Sequence, residues 1–324
     1  MNMSETLPVE FTIPEDKHQR LVISSVLLYI GVCLNIAVLV SLLKTWRSDS
    51  RIQFFILCLC IADLLGLCFH LGIDIGWVAT YVWTAGNVGC KICMFLLHFG
   101  HAMAHYFLAS FNVDNVITIC CYKSRKVTRI LLIVVSIFAA VCVCVPEAFV
   151  FSTQIHPHYP ELIQCATFDF FEDQESETIY RVVYTVGIYW FPLLFVIFAG
   201  IPAIIAWLTK RATEEFEEAK KKTPDGSDLQ TFGLDLAMVS AFNVVFFVCW
   251  TPTCVLILIE RLGTLNLAFD RLEVLWLAFK YISIINSCLN PVIYGIFTCI
   301  RRKGEPLSGL EPSPTFEVNK AFVE

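Results

Sequence analysis

Charge is the scarcest commodity in this chain: Asp, Glu, Lys and Arg make up 16% of its 324 residues. A soluble domain carries about 25%. No long basic arm is present, so nucleic acid is not an expected partner. The first twenty residues lack a short apolar core behind a basic start, so they do not read as a cleavable signal peptide. No His/Cys set has the closed spacing of a zinc site, and no nucleophile–base pair stands in a catalytic pattern. An enzyme is not expected, nor is a cofactor. Internal repeats and paired broken segments, the marks of a transporter, are missing too.

What fills the chain is apolar. Hydrophobic residues make up 57%, with 27 Phe, and the mean hydropathy is +0.68. A water-soluble fold of this size has no interior large enough for them, so lipid must be the solvent for much of the surface. A helix needs about 20 mostly apolar residues to cross the hydrocarbon core. The gaps between charges give seven such segments: 21–43, 52–73, 92–122, 130–151, 182–209, 236–259 and 274–300. The expected fold is all-α, a seven-transmembrane-helix bundle. The expected division is an extracellular segment at 1–20, the transmembrane domain at 21–300 and a cytoplasmic tail at 301–324. A short amphipathic helix is expected after the seventh span.

Fifteen Lys and Arg flank one face of the bundle and six the other. The basic side is cytoplasmic, which places the N-terminus outside and the C-terminus inside. Asn2, in Asn-Met-Ser, is then a glycosylation acceptor on the correct side. Cys90 heads the third span and Cys165 lies in the long outer loop, so an oxidising exterior makes them the expected disulfide; Cys93, one turn deeper, is the competitor. Cys299, beside Arg301 and Arg302, is a palmitoylation candidate. Ser308, Ser313 and Thr315 are phosphorylation candidates on the tail.

Ionisable groups within spans are costly and face the bundle interior. They are Asp63, Asp114, Glu147 and Lys280. Asp63 with Asn35, Asn286 and Asn290 reads as a polar core able to hold a sodium ion; a satisfied hydrogen-bond network is the plainer reading. Pro192, Pro202, Pro252 and Pro291 each remove a backbone bond from a span and allow a kink.

These residues resemble the rhodopsin-like family of G-protein-coupled receptors. Asn35 fits the family's first-helix asparagine, and Leu59 with Asp63 its Leu-x-x-x-Asp. Trp83, Gly86 and Cys90 fit the lead into helix three. Phe246, Cys249, Trp250 and Pro252 fit Phe-x-x-Cys-Trp-x-Pro, and Asn290, Pro291 and Tyr294 fit Asn-Pro-x-x-Tyr. The likeness covers nearly all of 21–300. Within the family, the chain is most similar to gonadotropin-releasing hormone, adipokinetic hormone and vasopressin-like peptide receptors, through Pro146, Phe149 and Phe151, and through Gln164, Cys165, Thr167 and Phe168. Asp74, eleven residues after Asp63, fits an acidic position that contacts peptide.

The resemblance implies a receptor in the plasma membrane, with an extracellular peptide ligand and with a heterotrimeric G protein and arrestin as inner partners. Ligand contacts are expected at Asp74, His98, His101, Trp250, Phe247 and Lys280, with Phe95 and the deeper His105 nearby. The acidic outer segment, with Glu161, Asp169, Glu172, Asp173, Glu175 and Glu177, draws a cationic or amidated peptide. Phe246, Trp250, Pro252, Pro291 and Tyr294 form the expected switch, through which helix six moves.

Three departures stand out. The family's Asp-Arg-Tyr is Asp114, Asn115 and Val116 here. Asn115 cannot form the arginine's ion pair, so Asp114 is expected to lack a counter-charge and coupling to be atypical. The fourth span has no tryptophan, and Gly200 stands where helix five carries a tyrosine. The retinal-lysine position of a light receptor is Ile284, with Lys280 one turn too early, which argues against an opsin. The competing reading is a non-signalling membrane protein that captures peptide or modulates a partner receptor.

Overall fold

The computed structural model describes residues 17–304 apart from 48–49, 122–124, 157–158, 168–169, 222–226 and 262–268. Among them are seven helices long and apolar enough to cross a membrane. The first four spans are Lys17–Lys44, Arg51–Thr80, Gly86–Cys121 and Lys126–Val150. The fifth is assembled from Gln174–Thr185, a π-helical turn Val186–Trp190, and Phe191–Lys221. The sixth is Ser227–Arg261 and the seventh Phe269–Gly304. Large apolar side chains face outward, as with Phe138 and Phe198, 69% and 73% exposed. Asn35, Asp63, Asp114 and Glu147 are buried instead. Apolar outside and polar inside is the arrangement that a lipid solvent selects.

The third span runs through the middle of the bundle, its stretch 100–112 buried throughout, and packs against the second, fourth and fifth. Its crossing with the second span depends on two glycines. A Cβ on Gly100 would stand 2.2 Å from the backbone nitrogen of Gly66, so the helices touch backbone to backbone.

The charge gaps place the spans correctly but cut most of them short, including the outer ends of the second and the fifth. The second continues to Thr80 because Asp74 turns inward and pairs with Lys280 of the seventh. The fifth begins at Gln174, before its acidic residues end. Asp173 caps it, accepting from the Ser176 amide at 2.6 Å, and that amide holds the Asp173 carboxyl below its usual range. The outer segment is therefore not all loop. Strand β1 (Ser152–His156) pairs antiparallel with β2 (Tyr159–Ala166). Cys165 on β2 is joined to Cys90 at the head of the third span, with Cα atoms 5.5 Å apart. Cys93 is free.

At the inner side the fifth helix extends to Lys221. The seventh runs without a break through Gly304, so the described residues hold no separate short helix after it. Asn2, Ser308, Ser313 and Thr315 lie outside the described residues.

Pro192 explains the π turn. It has no amide to donate to the carbonyl of Ile188, four residues earlier. The freed Ile188 oxygen accepts from Nδ1 of His105 at 2.8 Å, and Gly187 oxygen accepts from the Tyr106 hydroxyl at 2.8 Å. A defect in the fifth helix thus becomes its docking point on the third.

Candidate ligand cavity, transmission core and inner face

A cavity of about 290 Å³ opens between the outer halves of the third, fifth, sixth and seventh spans, with Arg20 and His70 on its remaining wall. Its lining includes His98, Tyr184, Ile188, Trp250, Trp276 and Lys280. A second, about 330 Å³, is lined by Lys17, Asp74, Trp77, Tyr81 and Gln164. Arg20 lines both. Between them the Lys280 ammonium pairs with the Asp74 carboxylate, which also accepts from the Ser24 hydroxyl at 3.1 Å. An opposed pair in a part-buried wall presents both a cation and an anion to whatever enters.

The expected ligand residues divide. His98, Trp250 and Lys280 line the first cavity and Asp74 the second. His101 does not reach either: it is 2% exposed, its ring 5.2 Å from that of His70 and 5.3 Å from that of Trp250. Phe247 is a correction, because it is 49% exposed on the outside of the sixth helix. Its neighbour Trp250 points inward, and three residues along a helix is nearly a full turn but not one. Phe95 stacks on Phe99 at 5.0 Å and lines neither cavity. His70 was not singled out by sequence, although it stands seven residues after Asp63 and so shares its inward face.

Below the cavity, Trp250 forms the floor. Its ring lies 4.3 Å from that of His105, and His105 lies 4.8 Å from Phe246. Phe246 in turn meets Tyr189 of the π turn at 5.3 Å, and the Tyr189 hydroxyl is hydrogen-bonded to Thr251. The carbonyl of Val248 loses its helical donor to Pro252. The floor, the π turn of the fifth span and the histidines of the third therefore form one contiguous stack beside Pro252 of the sixth.

Further in, Asn290 donates to Asp63 at 2.8 Å. Asn35 does not join them as expected. Its amide donates to the carbonyls of Gly31 and Ser287, both at 2.9 Å, tying the first helix to the seventh. Oδ1 atoms of Asn35, Asp63 and Asn286 are buried without a hydrogen-bond partner among the described residues. All three are oxygen acceptors, the ligand type a small hard cation takes.

The missing helix-five tyrosine has a structural consequence. Gly200 leaves room for Asn112 and Asn243 to exchange amide hydrogen bonds of 2.9 and 2.8 Å between the third and sixth helices. A Cβ on Gly200 would lie 3.0 Å from the Asn112 oxygen.

At the inner end, Asp114 is not without a counter-charge. Arg51, the first residue of the second helix, places Nη1 2.7 Å from Asn115 Oδ1 and 3.3 Å from Asp114 Oδ2. Its Nη2 is 3.5 Å from Asp235 Oδ2 on the sixth helix, and its guanidinium lies 4.8 Å above the Phe232 ring. Asp235 is also paired with Arg301 of the seventh helix. Val116 is only half-buried. Arg51 did leave a trace in the sequence: a cation in the first turn of a helix opposes the helix dipole and wants acids nearby.

A cavity at one end of a seven-helix bundle, an aromatic floor beside an in-helix proline and a charged cluster at the far end define a transmembrane receptor rather than an enzyme. Residues 34–294 match the model of the seven-transmembrane receptor family, rhodopsin family. The chain belongs to that family, and is a multi-pass protein of the plasma membrane. It is similar to the gonadotropin-releasing hormone receptor of Octopus vulgaris, 26% identical over 87% of this chain and 71% of that one. It is also similar to the melatonin receptor type 1C of Xenopus laevis, 27% identical over 83% of this chain and 62% of that one. Cephalotocin receptor 2 of Octopus vulgaris is 25% identical over 83% of this chain and 68% of its own length.

Proposed function

We propose that this receptor recognises an extracellular peptide hormone or neuropeptide and transmits its binding to a heterotrimeric G protein through movement of the sixth span. The observation that carries the reading is the cavity floored by Trp250. At about 290 Å³ it is at the small end for ligand sites, so it suits one end of a peptide. The second cavity, reached past Arg20 and the Asp74–Lys280 pair, holds the following residues. The acidic start of the fifth span, with Glu172, Asp173 and Glu175, favours a cationic or amidated peptide by long-range attraction. The gonadotropin-releasing hormone and cephalotocin receptor relatives support a peptide ligand, while the melatonin receptor relative at similar identity does not separate the two classes.

A group pressing on Trp250 bears on His105, Phe246 and the Pro252 kink together. An arrangement of the sixth helix that fits the ligand better gains population by that difference in affinity. Asn115 in place of an arginine makes the coupling atypical, and it also favours the second reading, a peptide-binding protein that does not signal.

The test is to display the chain on cultured cells and challenge it with short amidated peptides. Binding, calcium and cyclic nucleotide would be recorded for each. A saturable signal establishes the signalling receptor. Saturable binding with no signal establishes the non-signalling one, and absence of binding across the panel sinks the peptide assignment.

A further inference from the structure

Four spans meet at the inner end through two carboxylates and two guanidiniums. Asp114 comes from the third, Asp235 from the sixth, Arg51 from the second and Arg301 from the seventh. The side chains of Asp114 and Asp235 are 0% and 9% exposed, and that of Arg51 is 15% exposed. Charges so far from water are retained only when paired, and here two of each sign balance. Arg51 holds the centre, since it alone of the four faces the third and the sixth spans together. Only a planar fork of several donors reaches that many acceptors at once; an ammonium does not.

We propose that Arg51 is the positioning residue that closes the inner face, its guanidinium clamping Asp114 and Asn115 on the third span to Asp235 on the sixth. The chain has thereby moved the closing cation from the third helix to the second. The contacts run across the helix axes at their inner ends, so outward movement of the sixth span parts Asp235 from Arg51 before any deeper packing is lost. The core above holds independently: Phe55 and Phe111 stack at 4.7 Å, and Asn112 and Asn243 pair one layer further out. Arg51 therefore governs whether the inner face is open, more than whether the bundle is folded. The inference rests on the proposed movement of the sixth span, but its first test needs no ligand and no transducer.

That test is amide hydrogen exchange on the purified full chain in lipid nanodiscs, read at 232–243, the inner end of the sixth span. Arg51→Gln and Asp235→Asn should each speed exchange there by roughly tenfold or more, because removing one partner leaves a buried charge uncompensated. The double variant should speed exchange by less than the product of the two single effects, because either change alone already removes the Arg51–Asp235 contact. Arg51→Lys should fall between, and Lys126→Gln, an exposed cation at the start of the fourth span, should match the unaltered chain. The clamp is overturned if Arg51→Gln behaves like Lys126→Gln. It is equally overturned if exchange rises alike in all spans as the melting temperature falls, since Arg51 would then be merely structural. Basal nucleotide exchange on added G protein is measured on the same samples. A rise with Arg51→Gln supports both readings. Opening at 232–243 without nucleotide exchange leaves the clamp standing and counts against the transducer assignment alone.

Discussion

A single amide shows how closely one residue's role depends on its neighbour. Asn115 is fully buried, and its Oδ1 accepts from Arg51 at 2.7 Å. Restoring the family's arginine by Asn115→Arg would set two guanidiniums against each other beside carboxylates that already have partners. A buried charge without a partner costs several kcal/mol. Even partial relaxation leaves a loss of about 2 kcal/mol, seen as a lower melting temperature and poorer surface display. Arg51→Gln combined with Asn115→Arg should recover most of it, since one cation then serves the same acids. If Asn115→Arg alone were as stable as the unaltered chain, Arg51 would not occupy that space. The Asp74–Lys280 pair obeys the same rule. Lys280→Met strands a part-buried carboxylate and should lower stability by about 1–3 kcal/mol, while Asp74→Leu with Lys280→Met should restore much of it, as thermal melting of the three variants would show.

Two spans are held as elements by features of the backbone rather than by side chains. With the Gly100 Cβ site 2.2 Å from the Gly66 nitrogen, Gly100→Ala forces the second and third helices apart. Overpacking of this kind costs about 1–3 kcal/mol or more, and the second cavity, walled by the outer end of the second span, should lose affinity with it. Thermal melting and peptide binding on the purified variant check both; unchanged melting would mean that the helices slide apart freely. Such a crossing was not legible in the sequence, because a glycine in a helix does not say what it lies against. The spans themselves were legible, because a break in charge is what a bilayer reads. The same rule failed at Asp74 and in the first turns of the fifth span. There a charge is paired across the bundle or stands outside the hydrocarbon, and neither partner nor depth is written in a gap. The π turn was half legible: Pro192 announced a lost hydrogen bond but not that His105 and Tyr106 would take up the freed carbonyls. For the site, Trp250, His98, Asp74 and Lys280 were readable from motif and spacing. Phe247 was misplaced by about a sixth of a turn, and the first-turn cation Arg51 was legible as a position but not in its partners, which lie 63 and more residues away.

Across the whole molecule, the outer cavity and the inner charge cluster are joined by one continuous helix, the sixth span. It carries Trp250 at one end and Asp235 at the other. If a peptide in the cavity favours the arrangement in which Asp235 has left Arg51, then weakening that contact must favour the peptide, because coupling between two sites is reciprocal. Arg51 lines neither cavity, so a direct effect on binding has no route. Arg51→Gln should therefore tighten agonist binding by about the factor by which it shifts the inner face toward open, capped by the agonist's own preference for that arrangement, roughly 1–3 kcal/mol for typical couplings. Equilibrium binding of a labelled agonist to membranes stripped of G protein measures this, with Lys126→Gln as the reference. A peptide that only occupies the cavity, with equal affinity for both arrangements, shifts nothing however tightly it binds. Its affinity would be the same in Arg51→Gln as in the unaltered chain, and the two ends of the bundle would then be independent.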